Sequence, residues 1–183
     1  MRAAPQRTSD DEPIARRRVP TAIPAFSLYG EAGARPDDDF VHIETIAARS
    51  QRYDWEIDTH VHHGLCQVLV VVSGGVDLRL DEVETTPVAP CAVVVPPGTV
   101  HAFRFRPGTR GQVLTFAESR FVHGDAERRA LVEALFERPA VIAFSDTLEG
   151  GDDGIARLAG HLEAIAGEFF GRGAGRGAML GWL

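Results

Sequence analysis

Between residues 40 and 116, short runs rich in β-branched and aromatic residues alternate with turn signals. Seven runs follow this pattern, at residues 40–47, 59–62, 67–72, 76–80, 92–95, 100–105 and 112–116. In the fourth and sixth runs apolar and charged residues alternate, which is typical of strands with one buried and one solvated face. Strands of this length and spacing indicate an all-β sandwich or barrel. The pattern therefore predicts a mainly β fold, with an antiparallel barrel over residues 25–121.

After Arg120 the apolar residues recur with a helical period instead. A first helix is predicted from an N-cap at Asp125 to about Glu137, before Pro139. Its buried side is expected to contain Leu131, Val132, Leu135 and Phe136. A short extended piece is predicted at 141–144, and a second helix is expected to begin at Asp152 or Asp153. Residues 122–183 thus form a predicted α-helical dimerisation and linker region.

The second helix carries an apolar stripe at the spacing i, i+3, i+4 and i+7. We expect five of its residues to form a homodimer interface: Ile155, Leu158, Leu162, Ile165 and Phe169. The alternative is that the stripe packs on the 125–137 helix of the same molecule. Beyond the glycine-rich stretch 171–177, an apolar pattern restarts at Met179, Leu180 and Trp182. We expect this end to lie midway along a helix, in a longer protein.

The first 24 residues mix Pro, Asp and Arg without periodicity, which indicates a flexible arm. One hypothesis is that Arg16, Arg17 and Arg18 fold over the barrel mouth and pair with a carboxylate ligand, because a guanidinium binds carboxylates bidentately. The alternative is a solvated tail.

Charge and composition narrow the function classes. The net charge of −7 excludes the basic face with which a chain binds DNA by itself. The longest aliphatic run, 68–72, is far too short for a membrane span, and no apolar stretch follows the N-terminal arginines as a secretory signal requires. Two cysteines do not make a disulfide framework, so we expect reduced thiols in a cytoplasm.

Three histidines carry the main chemical signal. His60 and His62 are two residues apart in a strand, so both imidazoles point to one face. Together with Gly74 and the later Pro96-x-Gly98-x-x-His101 run, they resemble the two-part cupin signature, G-x5-H-x-H-x4-E-x6-G followed by G-x5-P-x-G-x2-H-x3-N. The departures from this signature are Asp54, Gln67, Pro90 and Phe105.

In metal-binding cupins the three histidines and the glutamate hold a metal ion. Three neutral imidazoles alone can hold zinc or Fe(II) with open positions. Gln67 replaces the charged carboxylate with a weak neutral amide, so we expect no metal cofactor and interpret the histidines as hydrogen-bonding groups that line a ligand cavity. A divalent metal at His60, His62 and His101 stays open as the alternative.

The run from His60 to Gly75, HVHHGLCQVLVVVSGG, and the run PPGTVHAFRF at 96–105 show a narrower resemblance. They are similar to the N-terminal regulatory cupin of AraC/XylS-type bacterial transcription regulators, and most of all to the subgroup that responds to 4-hydroxybenzoate. The resemblance implies a cytoplasmic effector-binding and dimerisation domain, which contacts DNA only through a helix-turn-helix domain that this sequence lacks.

The ligand that the resemblance implies is a small aromatic carboxylate such as a hydroxybenzoate. We expect four apolar residues to sandwich its ring and four polar residues to anchor it. The apolar residues are Val76, Leu78, Phe103 and Phe105; the polar residues are His60, His62, Gln67 and His101.

No G-x-S-x-G, Walker-type or G-x-G-x-x-G motif stands in a suitable context, so we expect no enzymatic activity. Two alternatives remain open. One is a metal-dependent cupin enzyme, a dioxygenase or isomerase, that uses the histidine cluster. The other is a stand-alone sugar- or acid-binding cupin.

Overall fold

The computed structural model describes residues 23–26, 28, 37–121, 126–144 and 151–171. The strands are β1 Val41–Thr45, β2 Glu56–Val61, β3 Leu65–Ser73, β4 Val76–Leu80, β5 Val83–Thr85, β6 Cys91–Val95, β7 Val100–Phe105, β8 Arg110–Ala117 and β9 Ala140–Ala143. The helices are α1 Ile46–Ser50, α2 Ala126–Leu135 and α3 Gly151–Phe170, with short 3-10 turns at Gln51–Tyr53 and Glu118–Phe121.

The strands form two sheets in which neighbouring strands are antiparallel. A five-stranded sheet has the order β1-β8-β3-β6-β9, and a four-stranded sheet has the order β2-β7-β4-β5. The predicted fold class, a cupin-type, jelly-roll-like barrel followed by helices, is confirmed. None of the helices that the structure describes combines the length and hydropathy needed to cross a lipid bilayer.

The barrel core lies between the two sheets and follows from the alternation along the strands. In β4 the side chains of Val76, Leu78 and Leu80 are buried, whereas Asp77 and Arg79 are exposed. The core also contains residues from β3, β6 and β7. Both described cysteines are buried and free of disulfides.

Helix α3 packs on the outer face of the five-stranded sheet, which corrects the expected role of its stripe. Ile155 and Leu162 are buried against Ile43, Val70 and Ala92 of the sheet. The other stripe residues also pack in this cluster: Leu158, Ile165 and Phe169. Two of the five stripe residues are therefore buried within a single chain and the other three are partly covered by it, so the premise that the closed barrel leaves the stripe uncovered is wrong. The homodimer itself stays a prediction.

The reason lies in β3, which is apolar on both faces. Leu69 and Val71 point into the barrel core, whereas Val68 and Val70 point outward to α3. A strand buried on both faces is a nearly continuous apolar run, and a second layer must cover it. Among the described residues, the cluster that covers the stripe contains none from α2, the partner considered as the alternative from the sequence.

Helix α2 differs from its prediction because its apolar residues are largely solvated. Leu131 is 67% exposed and Leu135 is 45% exposed, so neither lies on a buried side. Phe136, directly after the helix, contacts the ring of Phe116 edge to face at 5.5 Å. None of the residues of this ten-residue helix is buried, so little of its surface is covered.

Several element boundaries also differ from the prediction. The predicted strand 40–47 ends at Thr45, whose side chain accepts a hydrogen bond from the Ala48 amide and caps α1. Helix α3 begins at Gly151, so Asp152 and Asp153 lie inside it and neither is the cap. Strand β5 was not predicted, and the extended piece at 141–144 is β9, which pairs with β6. The predictions for Arg16, Arg17 and Arg18, for Asp125 and for residues 172–183 lie outside the described residues.

Candidate functional site

A small cavity inside the barrel brings polar and aromatic side chains together. Its volume is about 40 Å³, which is small beside the roughly 300 Å³ or more of most ligand pockets. It is lined by Leu28, Glu44, Ile46, Arg49, Ser50, Ile57, His60, His62, Gln67, Phe103, Phe105, Val113 and Thr115. The wall therefore combines neutral polar groups, one acid, one base and apolar rings.

The three predicted histidines converge as expected from their spacing. His60 on β2 lies directly opposite His101 on β7 in the antiparallel register, and His62 follows at the end of β2. The ring centroids are 4.1 Å apart for His60 and His101, 4.8 Å for His60 and His62, and 5.1 Å for His62 and His101. One ring nitrogen from each residue lies within 4.8 Å of the others, the spacing of a potential metal site.

Backbone carbonyl oxygens fix the tautomer of each imidazole. The Nδ1 atoms of His60, His62 and His101 lie 2.8, 2.7 and 2.9 Å from such oxygens. The three oxygens belong to Asp58, Phe26 and Thr99. A carbonyl oxygen only accepts, so each Nδ1 must carry the proton and each Nε2 must present a lone pair. The backbone thus turns three acceptor atoms toward one another.

Burial keeps these imidazoles neutral. Desolvation, followed by the neighbouring imidazoles His101 and His62, lowers the pKa of His60 to about 2. Desolvation likewise lowers the pKa of His101 to about 4 and lowers that of His62. At neutral pH the lone pairs are therefore free of protons, as metal binding or hydrogen-bond acceptance requires.

Gln67 stands where the cupin signature has glutamate. It lies on β3 with 7% of its surface exposed, and its Nε2 donates to the Thr115 hydroxyl at 3.2 Å. Its Oε1 and the Nε2 atoms of His62 and His101 are buried without a hydrogen-bond partner in the part of the chain that the structure describes. Three acceptors in one region thus lack a donor.

An ion pair on the cavity wall was not predicted. The guanidinium of Arg49 donates to the carboxylate of Glu44 at 2.7 Å, and both side chains are largely buried. Burial by itself would raise the pKa of Glu44, but the neighbouring side chains of His42 and Arg49 outweigh it and the pKa is lowered. The pair was missed because the run 40–47 was interpreted as one strand. Thr45 as a helix cap was the signal that would have placed Arg49 on α1.

The predicted ligand site is brought together only in part. Five of its eight residues line the cavity: His60, His62, Gln67, Phe103 and Phe105. Val76 and Leu78 do not line this cavity; they are buried in the barrel core, in the same cluster as both phenylalanines. His101 reaches the cluster through its contact with His60.

Comparisons with known proteins give partial similarities. No protein-family model matches the chain, and no curated protein matches it. Among solved structures, TT1209 from Thermus thermophilus matches 34% of this chain and 61% of its own at 26% identity, with a TM-score of 0.30. An RmlC-like cupin from Shewanella frigidimarina matches 34% of this chain and 55% of its own at 28% identity, with a TM-score of 0.30.

The AraC-family protein ToxT from Vibrio cholerae matches 68% of this chain and 45% of its own at 11% identity, with a TM-score of 0.38. This chain therefore spans less than two thirds of each of the three proteins. The structures that it resembles include a cupin and an AraC-family protein, the two groups whose motifs its sequence resembles.

Proposed function

We propose that this chain is the ligand-sensing domain of a bacterial transcription regulator that acts in the cytoplasm. In this proposal the barrel binds an effector without catalysing a reaction, and a further domain contacts DNA. The regulator works as a homodimer, because a two-fold symmetric protein matches paired DNA half-sites. The sequence resemblance to AraC/XylS-type cupins supports the regulatory role.

One observation carries the binding role: the three buried acceptors without a donor. Each unpaired buried polar atom costs about 1–3 kcal/mol, and apolar residues at the same positions would avoid this cost. A guest that donates to His62, His101 and Gln67 removes the penalty. The guest must therefore present a hydroxyl, an amine, a water molecule or a cation to this part of the cavity.

The need for a donor at these acceptors determines which end of a hydroxybenzoate would lie beside them. Its hydroxyl has one hydrogen and would donate to Oε1 of Gln67, and the imidazole and amide acceptors would repel its carboxylate. The carboxylate would instead lie on the side of Arg49, and the ring against Phe103 and Phe105. Ligand pockets usually measure about 300 Å³ or more, so a cavity of about 40 Å³ must widen when the ring enters.

Titration calorimetry on chelator-treated protein tests this proposal. We expect 4-hydroxybenzoate to bind more tightly than benzoate, which lacks the hydroxyl donor, and more tightly than phenol, which lacks the carboxylate. Gln67→Leu should lower the affinity for 4-hydroxybenzoate but not the affinity for benzoate. The exposed control Glu84→Gln should change neither affinity. Equal affinities for 4-hydroxybenzoate and benzoate, or no binding of any of the three, would contradict the proposal.

A metal-dependent cupin enzyme is the second candidate, and the histidine geometry favours it. One ring nitrogen from each of the three histidines lies within 4.8 Å of the others, and a backbone carbonyl oxygen holds each Nδ1. His60, His62 and His101 would hold the ion, and the unpartnered Oε1 of Gln67 is a neutral oxygen donor on the same cavity. A bound ion would supply Lewis-acid or redox chemistry to a substrate.

Metal analysis of protein purified without chelator tests the second candidate. Stoichiometric zinc, iron or manganese that is lost in His60→Ala and kept in the exposed control His63→Ala would support it. Protein that is free of metal and binds none in equilibrium dialysis would contradict it.

A further inference from the structure

The charges on the cavity wall restrict how an anionic effector can enter. Among the described residues that line the cavity, the charged ones are Glu44 and Arg49, and they pair with each other at 2.7 Å, so their charges cancel. An effector carboxylate therefore brings one negative charge that no described group on this wall balances. Because an unbalanced charge inside a protein is strongly unfavourable, we expect a proton to enter with the carboxylate.

Two carboxylates would then meet at one guanidinium. When two carboxylates share a site, each raises the pKa of the other, so one of them takes up a proton. The buried imidazoles of His60 and His101 are poor recipients for this proton, since desolvation lowers their pKa to about 2 and about 4. The proton is therefore expected on Glu44 or on the effector, and the surroundings of Glu44 decide between them.

His42 offers Glu44 a second partner. Its Nε2 atom lies 3.5 Å from Oε1 of Glu44, the same oxygen that Arg49 binds, and makes no hydrogen bond within the described part of the chain. After burial, His42 and Arg49 are the groups that shift the pKa of Glu44. The side chain of His42 is 20% exposed and that of Glu44 is 15% exposed, so a proton can reach the pair from solvent. One proton between Oε1 and Nε2 gives both atoms a hydrogen bond and leaves the pair uncharged.

The groups that other elements bring to this pair are uncharged. From β8, Thr115 lies directly opposite His42 in the antiparallel register, and from α3 the ring of Phe169 contacts the imidazole edge to face at 5.4 Å. From β2, His60 and His62 line the same cavity as Glu44. Burial lowers the pKa of both, so neither carries a charge at neutral pH.

We propose that an effector carboxylate displaces Glu44 from Arg49, and that Glu44 turns to His42 with one proton taken from solvent. The hydrogen bond from the Arg49 guanidinium to Oε1 breaks, and one from the guanidinium to the effector carboxylate forms. Glu44 is thus an internal competitor of the effector, and the protein binds an anion without burying net charge. This inference rests on the proposed function, because it concerns the carboxylate end of the effector in the same cavity.

Proton uptake gives a direct readout of this exchange. The full chain, treated with chelator, is titrated with 4-hydroxybenzoate by calorimetry near neutral pH, in two buffers with different heats of ionisation. We expect uptake of about one proton per effector bound, and an affinity that falls by up to about tenfold per pH unit above neutrality. The carbon-13 shift of carboxyl-labelled 4-hydroxybenzoate in the complex should be that of the ionised carboxylate.

Two variants test the roles of the pair. In Glu44→Gln the guanidinium has no internal carboxylate to release, so 4-hydroxybenzoate should bind at least about tenfold more tightly, with less than about 0.2 proton taken up. In His42→Phe, which keeps a ring against Phe169, Glu44 lacks its second partner and the affinity should fall about fivefold. The exposed control Glu84→Gln should keep the wild-type affinity and proton uptake. Circular dichroism checks folding, and the two wild-type measurements test the exchange even if a variant does not fold.

The outcomes separate this inference from the proposed function. Wild-type protein that binds no 4-hydroxybenzoate would overturn both. Binding without proton uptake, or with the effector bound as the neutral acid, would overturn the exchange and leave the proposed function standing. Wild-type proton uptake in Glu44→Gln would overturn the role assigned to Glu44, and wild-type affinity in His42→Phe would overturn the role assigned to His42.

Discussion

Mild acid should destabilise the metal-free protein through its buried histidines. The pKa of His60 is lowered from 6.5 to about 2 and that of His101 from 6.5 to about 4, in both cases chiefly by desolvation. The unfolded chain therefore takes up protons below pH 6.5 that the folded barrel does not. The free energy of unfolding is highest above pH 6.5 and falls as the pH drops toward the folded pKa values.

The size of the effect follows from the pKa differences. Take a histidine with an ordinary pKa in the unfolded state and a pKa of 4 or less in the folded state. Between pH 7.0 and 5.5 it lowers the free energy of unfolding by about 1.3 kcal/mol. His60 and His101 together cost about 2.5 kcal/mol, and His62 adds to this because its pKa is lowered too. Few carboxylates titrate above pH 5.5, so the histidines dominate this interval.

Urea unfolding in the presence of chelator, followed by circular dichroism at several pH values, measures this loss. With a slope of about 2 kcal/mol per molar urea, the midpoint should fall by about 1 M or more. His60→Gln should reduce the loss by about 1.3 kcal/mol, whereas His63→Gln removes an exposed imidazole next to the cluster and should keep the wild-type loss. A total loss below about 0.5 kcal/mol would refute the reasoning, because the imidazoles would then be able to protonate in the folded barrel.

Three further predictions concern packing and charge. Leu162→Asp should lower the free energy of unfolding by about 3–5 kcal/mol, because Leu162 is 3% exposed within one chain; urea unfolding and sedimentation would contradict this if the variant stayed fully stable and only self-association changed. Gly111→Ala should lower the free energy of unfolding by about 2 kcal/mol or more, because the added Cβ would collide with a β3 carbonyl oxygen. Gly160→Ala on α3 has open space around the added Cβ and should raise the free energy of unfolding by about 0.5–1 kcal/mol, as measured by thermal unfolding. Arg49→Met should lower the free energy of unfolding by about 3 kcal/mol, because it removes the charged partner of the buried carboxylate of Glu44. The double variant with Glu44→Gln should recover most of this loss; an additive double variant in urea unfolding would contradict the coupling.

Local patterns were sufficient for the barrel and for the histidine cluster. Strands β4 and β7 have the predicted bounds because alternation of apolar and polar residues reports directly on which side chains face the core. The convergence of His60, His62 and His101 also follows from a two-residue spacing and one antiparallel pairing. The strand bounds and the histidine cluster both depend on residues that are close in sequence or directly opposite each other on paired strands.

The surface on which α3 packs was evident only from the tertiary structure, and so was the ion pair of Glu44 and Arg49. The stripe on α3 was recognised as apolar, but its partner is the outer face of β3, and periodicity does not say which distant surface an apolar face meets. Arg49 reaches the cavity because the chain changes from β1 to α1 at Thr45, a change of backbone direction that the apolar pattern of the run did not indicate.

The sequence by itself determined a β-rich barrel with an imidazole cluster inside it, because strand alternation and spacing are local. The tertiary structure decided that the cavity measures about 40 Å³, that Val76 and Leu78 fill the core, and that three buried acceptor atoms have no donor among the described residues. The volume of the cavity and the hydrogen bonding of its polar atoms both depend on side chains from the two sheets together. They exist only once those sheets are packed together, which is why no pattern along the chain contained them.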